Sequence, residues 1–70
     1  MDEQEFLHKV SVATNVNIEL LKELTGNEAF FTLIRTGKVI DATLLLRNIA
    51  PRVGLREAKK VVEAFVEEYK

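Results

Sequence analysis

The residues that could do acid-base or nucleophilic chemistry are few and poorly grouped. His8 and Ser11 lie three residues apart, a spacing that would place a base and a hydroxyl on one helix face. A catalytic triad also needs a carboxylate that orients the imidazole, and none is positioned to do so. We therefore interpret His8 and Ser11 as surface residues and expect no catalytic site.

The ligand types for a metal or a phosphate group are also sparse. Glu63 and Glu67, one helical turn apart, could share a cation, but two carboxylates without His or Cys are a weak ligand set. The chain has no cysteine, which excludes both thiolate metal sites and disulfides, and it has no glycine-rich phosphate loop. We expect a protein that is not an enzyme and that needs no metal and no cofactor.

The charged residues are strongly segregated along the chain. Residues 35–60 carry seven bases and two acids, a charge of +5, and the remainder carries three bases and nine acids, a charge of −6, which together give the net charge of −1. A dipolar chain of this kind indicates a partner with a complementary face. The predicted partner-binding residues are Ile40, Arg47, Arg52, Gly54, Arg56, Lys59 and Lys60.

The stretch GLREAKKVVEAF concentrates this basic character at the start of a helix. Arg56, Lys59 and Lys60 fall in the first two turns, whereas the helix macrodipole favours acids in the first turn by about 0.3 to 1 kcal/mol each. The effect decays within a turn and the Lys59–Glu63 pair offsets part of it, so the penalty is small. Free amides and cations at a helix start suit carboxylates or phosphates. The basic residues are either a docking surface or only a solvated face, and the sequence leaves both interpretations open.

The 70 residues form one domain, residues 1–70, with no repeat and no linker. Asp2 followed by Glu5 is typical of a capping box that begins the first helix. Residues 10–16 alternate apolar and polar side chains and could be helix or strand, and we favour helix.

Two short helices should follow. Asn17 is a suitable N-cap for residues 18–25, and Thr25 with Glu28 indicates a second capping box. Gly37 predicts the end of the helix that this box begins.

The C-terminal half should be a helical hairpin. Residues 38–49 are apolar on most of the helix circumference, so we expect this helix to be central, with the others around it. Pro51 ends that helix and Gly54 allows a tight re-entry into the last one, whose apolar residues repeat every three or four positions. The predicted fold class is all-α, a compact bundle of four or five short helices.

The chain contains no apolar run of the roughly 20 residues that cross a bilayer. Its first residues, MDEQEF, are acidic where a secretory signal would be basic. We expect a cytoplasmic protein that does not interact with membranes.

Residues 37–63, GKVIDATLLLRNIAPRVGLREAKKVVE, resemble the helical hairpin of the C-terminal domain of the bacterial ribosomal stalk protein. The resemblance lies in the run from Gly54 to Lys59 and in residues 37–47, although Thr43 and Leu44 stand where that family has isoleucine and lysine. In that family the hairpin recruits translational GTPases. The resemblance therefore implies contact roles for Ile40, Arg47, Gly54 and Lys59, with a translation factor as the partner.

The basic hairpin allows more than one kind of partner. Docking on an acidic face of another protein is the preferred hypothesis. Nucleic acid is the alternative, because the same bases could contact phosphates, although Phe6, Phe30, Phe31 and Phe65 fall on predicted core faces and not among the bases. Self-association through the apolar residues 38–49 is compatible with either partner.

Overall fold

The computed structural model describes residues 2–70, which contain helices and no strand. The helices are α1 (Glu3–Thr14), α2 (Ile18–Thr25), α3 (Glu28–Arg35), α4 (Val39–Ile49) and α5 (Leu55–Tyr69). They form a globule of 25 × 25 × 18 Å, so the predicted all-α bundle is confirmed. None of these helices combines the length and the apolar character that spanning a membrane requires.

Helix α1 includes most of the segment that could have been helix or strand. Phe6, Leu7, Val10 and Thr14 are buried at helical spacing, which selects the helix. The Thr14 hydroxyl donates to the Val10 carbonyl at 2.7 Å inside the helix. Asn15 then ends α1 in the left-handed conformation, with φ of 61°.

The capping predictions were partly right. The Asn17 side chain accepts from the Glu19 amide at 2.7 Å and caps α2 as expected. Asp2 is the N-cap of α1, but its side chain makes no capping hydrogen bond. The box predicted at Thr25 was wrong: Thr25 is the last residue of α2, and Asn27 caps α3 by accepting from the Phe30 amide at 3.0 Å.

Gly37 ends α3 as predicted. Its φ of +71° reverses the chain, its amide donates to the Ile34 carbonyl, and the Lys38 amide donates to the Leu33 carbonyl. This pair of bonds is the Schellman motif, which satisfies carbonyls that the helix end leaves free. The motif places α4 directly after α3.

The expectation that α4 lies at the centre of the bundle was wrong. Ile40, Leu44 and Ile49 of α4 are exposed, and only one side of α4 is covered. The central helix is α5, which contacts α1, α3 and α4 and buries a continuous stripe formed by Ala58, Val61, Val62 and Phe65. A helix that is apolar all round is buried only where enough neighbours surround it, and four other short helices do not suffice to surround α4.

An aromatic cluster fixes the C-terminal half of α5 in the core. The Phe65 ring lies edge-on to the rings of Phe6 and Phe30, with centroids 5.3 and 5.5 Å apart. Tyr69 makes similar contacts with Phe6 and Phe31. The cluster therefore joins α1, α3 and α5, and it confirms that Phe6, Phe30 and Phe65 belong to the core.

Candidate protein-docking surface

The α4–α5 turn is held by one of the predicted site residues. Ala50 adopts φ of −131° and ψ of 80° before Pro51, which disfavours a helical residue at that position, and α4 therefore ends at Ile49. The Val53 amide donates to the Ala50 carbonyl at 3.0 Å. The Arg47 Nε atom reaches across the turn and donates to the Val53 carbonyl at 3.3 Å.

All the predicted partner-binding residues are exposed, namely Ile40, Arg47, Arg52, Gly54, Arg56, Lys59 and Lys60. The structure distributes them around the hairpin. Ile40 and Lys59 line a groove between α4 and α5. Lys60 lines a different groove, between α1 and α5, because adjacent residues of a helix differ by about 100° in direction. Arg52 and Gly54 line a third groove beside the turn that joins α1 to α2.

The α4–α5 groove has a volume of about 180 Å³. Its lining consists of Val39, Ile40, Thr43, Leu44, Leu55 and Lys59. Three of these side chains are largely exposed: Ile40 at 76%, Leu44 at 59% and Leu55 at 57%. The groove is therefore apolar, and Lys59 is the charged residue in its lining.

Leu44 and Leu55 are the residues of this groove that sequence reasoning missed. The apolar pattern assigned both to core faces, which was wrong. One signal in the sequence could have identified Leu44, since it follows Ile40 by four residues and therefore lies on the same side of α4. Leu55 carries no comparable signal, because it belongs to the regular apolar stripe of α5.

The cations near the groove make no salt bridge within residues 2–70. Within residues 2–70, no ion pair involves Arg47, Arg56 or Lys59, whereas Lys22 and Glu19 of α2 form an exposed one at 4.0 Å. Arg47 follows Leu44 by three residues and lies on the same side of α4. Arg56 precedes Lys59 by three residues on α5. Lys59 and Arg47 therefore form a positive rim beside the apolar groove, and Glu63, one turn after Lys59 on the same side of α5, is an acid next to this rim.

The carboxylate of Glu57 lies close to the N-terminus of α5. Gly54 is the N-cap with φ of −66° and ψ of 158°, values that any residue adopts. A Cβ atom built on Gly54 would meet Oε1 of Glu57, so this carboxylate lies over the helix start. The re-entry after Pro51 consequently does not need the conformational freedom of glycine, and the positive end of the dipole already has an acidic neighbour.

The groove contains no catalytic arrangement. The Thr43 hydroxyl donates to the Val39 carbonyl at 2.8 Å and is satisfied within α4. Ser11, on the other side of the bundle, donates to the Val16 carbonyl at 2.7 Å in the turn between α1 and α2. In the part of the chain that the structure describes, no three His, Cys, Asp or Glu side chains group closely enough to hold a metal ion. Apolar contact and attraction of negative charge are what the groove offers.

No protein-family model, no curated protein and no solved structure matches this chain. The resemblance of residues 37–63 to the ribosomal stalk hairpin therefore stays a prediction.

Proposed function

We propose that the protein is a non-catalytic interaction module, an adaptor or modulator that docks the basic face of its α4–α5 hairpin on an acidic surface of another protein. The observation that carries the proposal is the exposure of Arg47, Arg56 and Lys59 without an ion-pair partner in residues 2–70. Charges of this kind set association rate and orientation more than affinity. Binding should therefore weaken as salt shortens the range of the attraction.

The charge order of α5 supports a binding role. Arg56, Lys59 and Lys60 lie toward the positive end of the helix dipole, and Glu63 and Glu67 lie toward its negative end. Helix stability alone favours the opposite order, by about 0.3 to 1 kcal/mol for a residue in the terminal turn, where Arg56 lies beside Glu57; Lys59 and Lys60 lie beyond that turn and cost little. Reversal of a stabilising pattern is expected where side chains serve a partner.

Two features favour protein over nucleic acid as the partner. Single-stranded nucleic acids stack their bases on exposed aromatic rings, and the rings of Phe30 and Phe65 are fully buried. The carboxylate of Glu57 lies over the start of α5, so the amides there are not an open phosphate site, whereas Arg47 and Lys59, which a protein partner would meet, lie away from that start beside the α4–α5 groove. A translation factor is the partner implied by the stalk resemblance, and it remains a prediction on that basis.

The test is an affinity capture from a lysate of the source cells, with and without nuclease. The wild type is compared with Arg56→Glu/Lys59→Glu, whose side chains are exposed and should not affect folding. Lys9→Glu/Lys22→Glu is the matched control, because it makes the same change in net charge at positions on α1 and α2. It removes only the exposed Lys22–Glu19 ion pair, which contributes little to stability. Circular dichroism checks that both variants are folded.

We expect the wild type to capture a protein partner in a complex that nuclease does not disrupt and that salt weakens. The Arg56→Glu/Lys59→Glu variant should not capture this partner, and the control should. Equal capture by both variants would mean that the basic face is only solvated. Loss of the wild-type complex on nuclease treatment would transfer the assignment to nucleic acid.

A further inference from the structure

We propose that the α4–α5 groove receives the apolar face of an acidic amphipathic helix from the partner protein. This inference rests on the proposed docking function and names the structural element that the docking surface recognises. Exposed large aliphatic side chains on the described residues are Val12, Ile40, Leu44, Ile49 and Leu55. Three of these five, Ile40, Leu44 and Leu55, converge on this one groove.

The size of the groove favours side chains of a protein over a small molecule. Its volume of about 180 Å³ is below the roughly 300 to 1,000 Å³ that is usual for small-molecule sites. A groove of this size suits one or two apolar anchor residues, which commonly supply most of the energy of a protein interface. The occupant is therefore expected to insert aliphatic side chains.

The two walls of the groove match the spacing of a helix. Ile40 and Leu44 are one turn apart on α4, and Leu55 and Lys59 are one turn apart on α5. Anchors at positions i, i+3 or i+4, and i+7 of a bound helix recur at about the same interval and can lie along a channel between two helices. A helix presents such anchors without exposing unpaired backbone groups.

The charge around the groove determines which helix fits. Lys59 lies in the lining, and Arg47, three residues after Leu44 on the same side of α4, adds a second exposed positive charge. A second copy of this chain, docked across a twofold axis at the groove, would bring these cations against their equivalents, which is unfavourable. Carboxylates beside the apolar stripe of a partner helix would meet the rim with complementary charge. The occupant is therefore an acidic helix of another protein.

The test uses three fluorescently labelled peptides of about 16 residues, a length at which an isolated helix becomes marginally stable. The first carries leucines at helical three-four spacing and glutamates at most other positions. The second has the same composition in an order that destroys the leucine stripe. The third keeps the stripe and replaces the glutamates with lysines. Binding to the full chain is measured by fluorescence anisotropy.

We expect the striped acidic peptide to bind about tenfold more tightly than the reordered one, and the lysine peptide not to bind. Leu44→Ser should weaken binding of the striped peptide about tenfold, whereas Val12→Ser, at an exposed aliphatic position on α1, should change binding less than twofold. Lys59→Glu should weaken binding more than Lys60→Glu, because Lys60 lines the α1–α5 groove instead. Urea unfolding of each variant confirms that the fold is intact.

Other results would overturn the inference in distinguishable ways. The two acidic peptides could bind equally well, with binding lost in Lys59→Glu and unchanged in Leu44→Ser. That result would exclude a helix in the groove, but it would still agree with electrostatic docking. Self-association that sedimentation detects in the wild type and not in Leu44→Ser would make a second copy the occupant. The proposed function itself fails if the capture experiment is unaffected by Arg56→Glu/Lys59→Glu or if the captured wild-type complex is lost on nuclease treatment.

Discussion

The two ends of the apolar stripe on α5 share one periodicity and have different environments. In the C-terminal half, Phe65 is fully buried among aromatic rings that α1 and α3 contribute. At the N-terminal end, Leu55 is 57% exposed and borders the α4–α5 groove. Burial of an apolar stripe depends on the elements that cover it: Ala58 and Val61 are covered, and Leu55 at the start of the helix is not. An apolar pattern therefore predicts a helix face that can be buried, and the tertiary structure decides whether it is.

The largest contrast should come from truncating one apolar residue in each half of α5. Phe65→Ala removes a fully buried ring and should lower the free energy of unfolding by about 3 to 5 kcal/mol. Leu55→Ala should change it by less than about 0.5 kcal/mol, because the side chain is mostly in water already. Urea unfolding followed by circular dichroism measures both. Similar losses in the two variants would show that Leu55 is buried in solution.

The same comparison can be made within α4, between two leucines that are two residues apart. Leu46 is fully buried and Leu44 is 59% exposed. Leu46→Ala should cost about 2 to 4 kcal/mol of unfolding free energy, and Leu44→Ala less than about 0.5 kcal/mol. Thermal and urea melts of the pair decide the orientation of α4. A reversed order would mean that α4 is rotated and that the groove is lined by other residues.

The glycines in the turns on either side of α3 should differ in how well they tolerate substitution by alanine. Gly37 has φ of +71°, and alanine there should cost about 1 to 2 kcal/mol because of the left-handed backbone. Gly26 has φ of −93°, and a Cβ there would meet nothing closer than 3.7 Å, so Gly26→Ala should be neutral or slightly stabilising. Unfolding midpoints of the two variants test this. Equal midpoints would contradict the left-handed turn at Gly37.

The smallest expected effect is a pH dependence from the aromatic end of α5. Burial, with smaller contributions from the carboxylates of Glu3 and Glu68, raises the pKa of Tyr69 above its ordinary value of 10.0. The unfolded chain releases the phenolic proton more readily, so the stabilisation is complete below about pH 10 and is lost as the pH rises through the folded-state pKa.

Stability curves of the wild type and Tyr69→Phe, measured across the alkaline range, isolate this contribution. The wild type should lose stability relative to the variant above about pH 10. Parallel curves would show that the Tyr69 hydroxyl has the same pKa in the folded and unfolded chains.

Much of the secondary structure could be predicted from the sequence because it depends on local interactions. The Asn17 cap, the Gly37 stop and the helix end before Pro51 each involve a few neighbouring residues, and each is found in the structure. The capping box predicted at Thr25 was wrong because Asn27, two residues later, caps α3 instead by accepting from the Phe30 amide. The cations of the candidate site were likewise identified from their segregation along the chain, since exposed charge needs no tertiary contact to be recognised.

By itself, the sequence determined that this chain forms short helices, that its last two make a hairpin, and that the hairpin is basic. Only the tertiary structure decided that α5 is central, that Leu44 and Leu55 face solvent, and that Lys59 and Lys60 line different grooves. Caps, stops and charge are properties of a few adjacent residues. Burial is a property of whole helices in contact, and it depends on which of several apolar faces the remaining helices are long enough to cover.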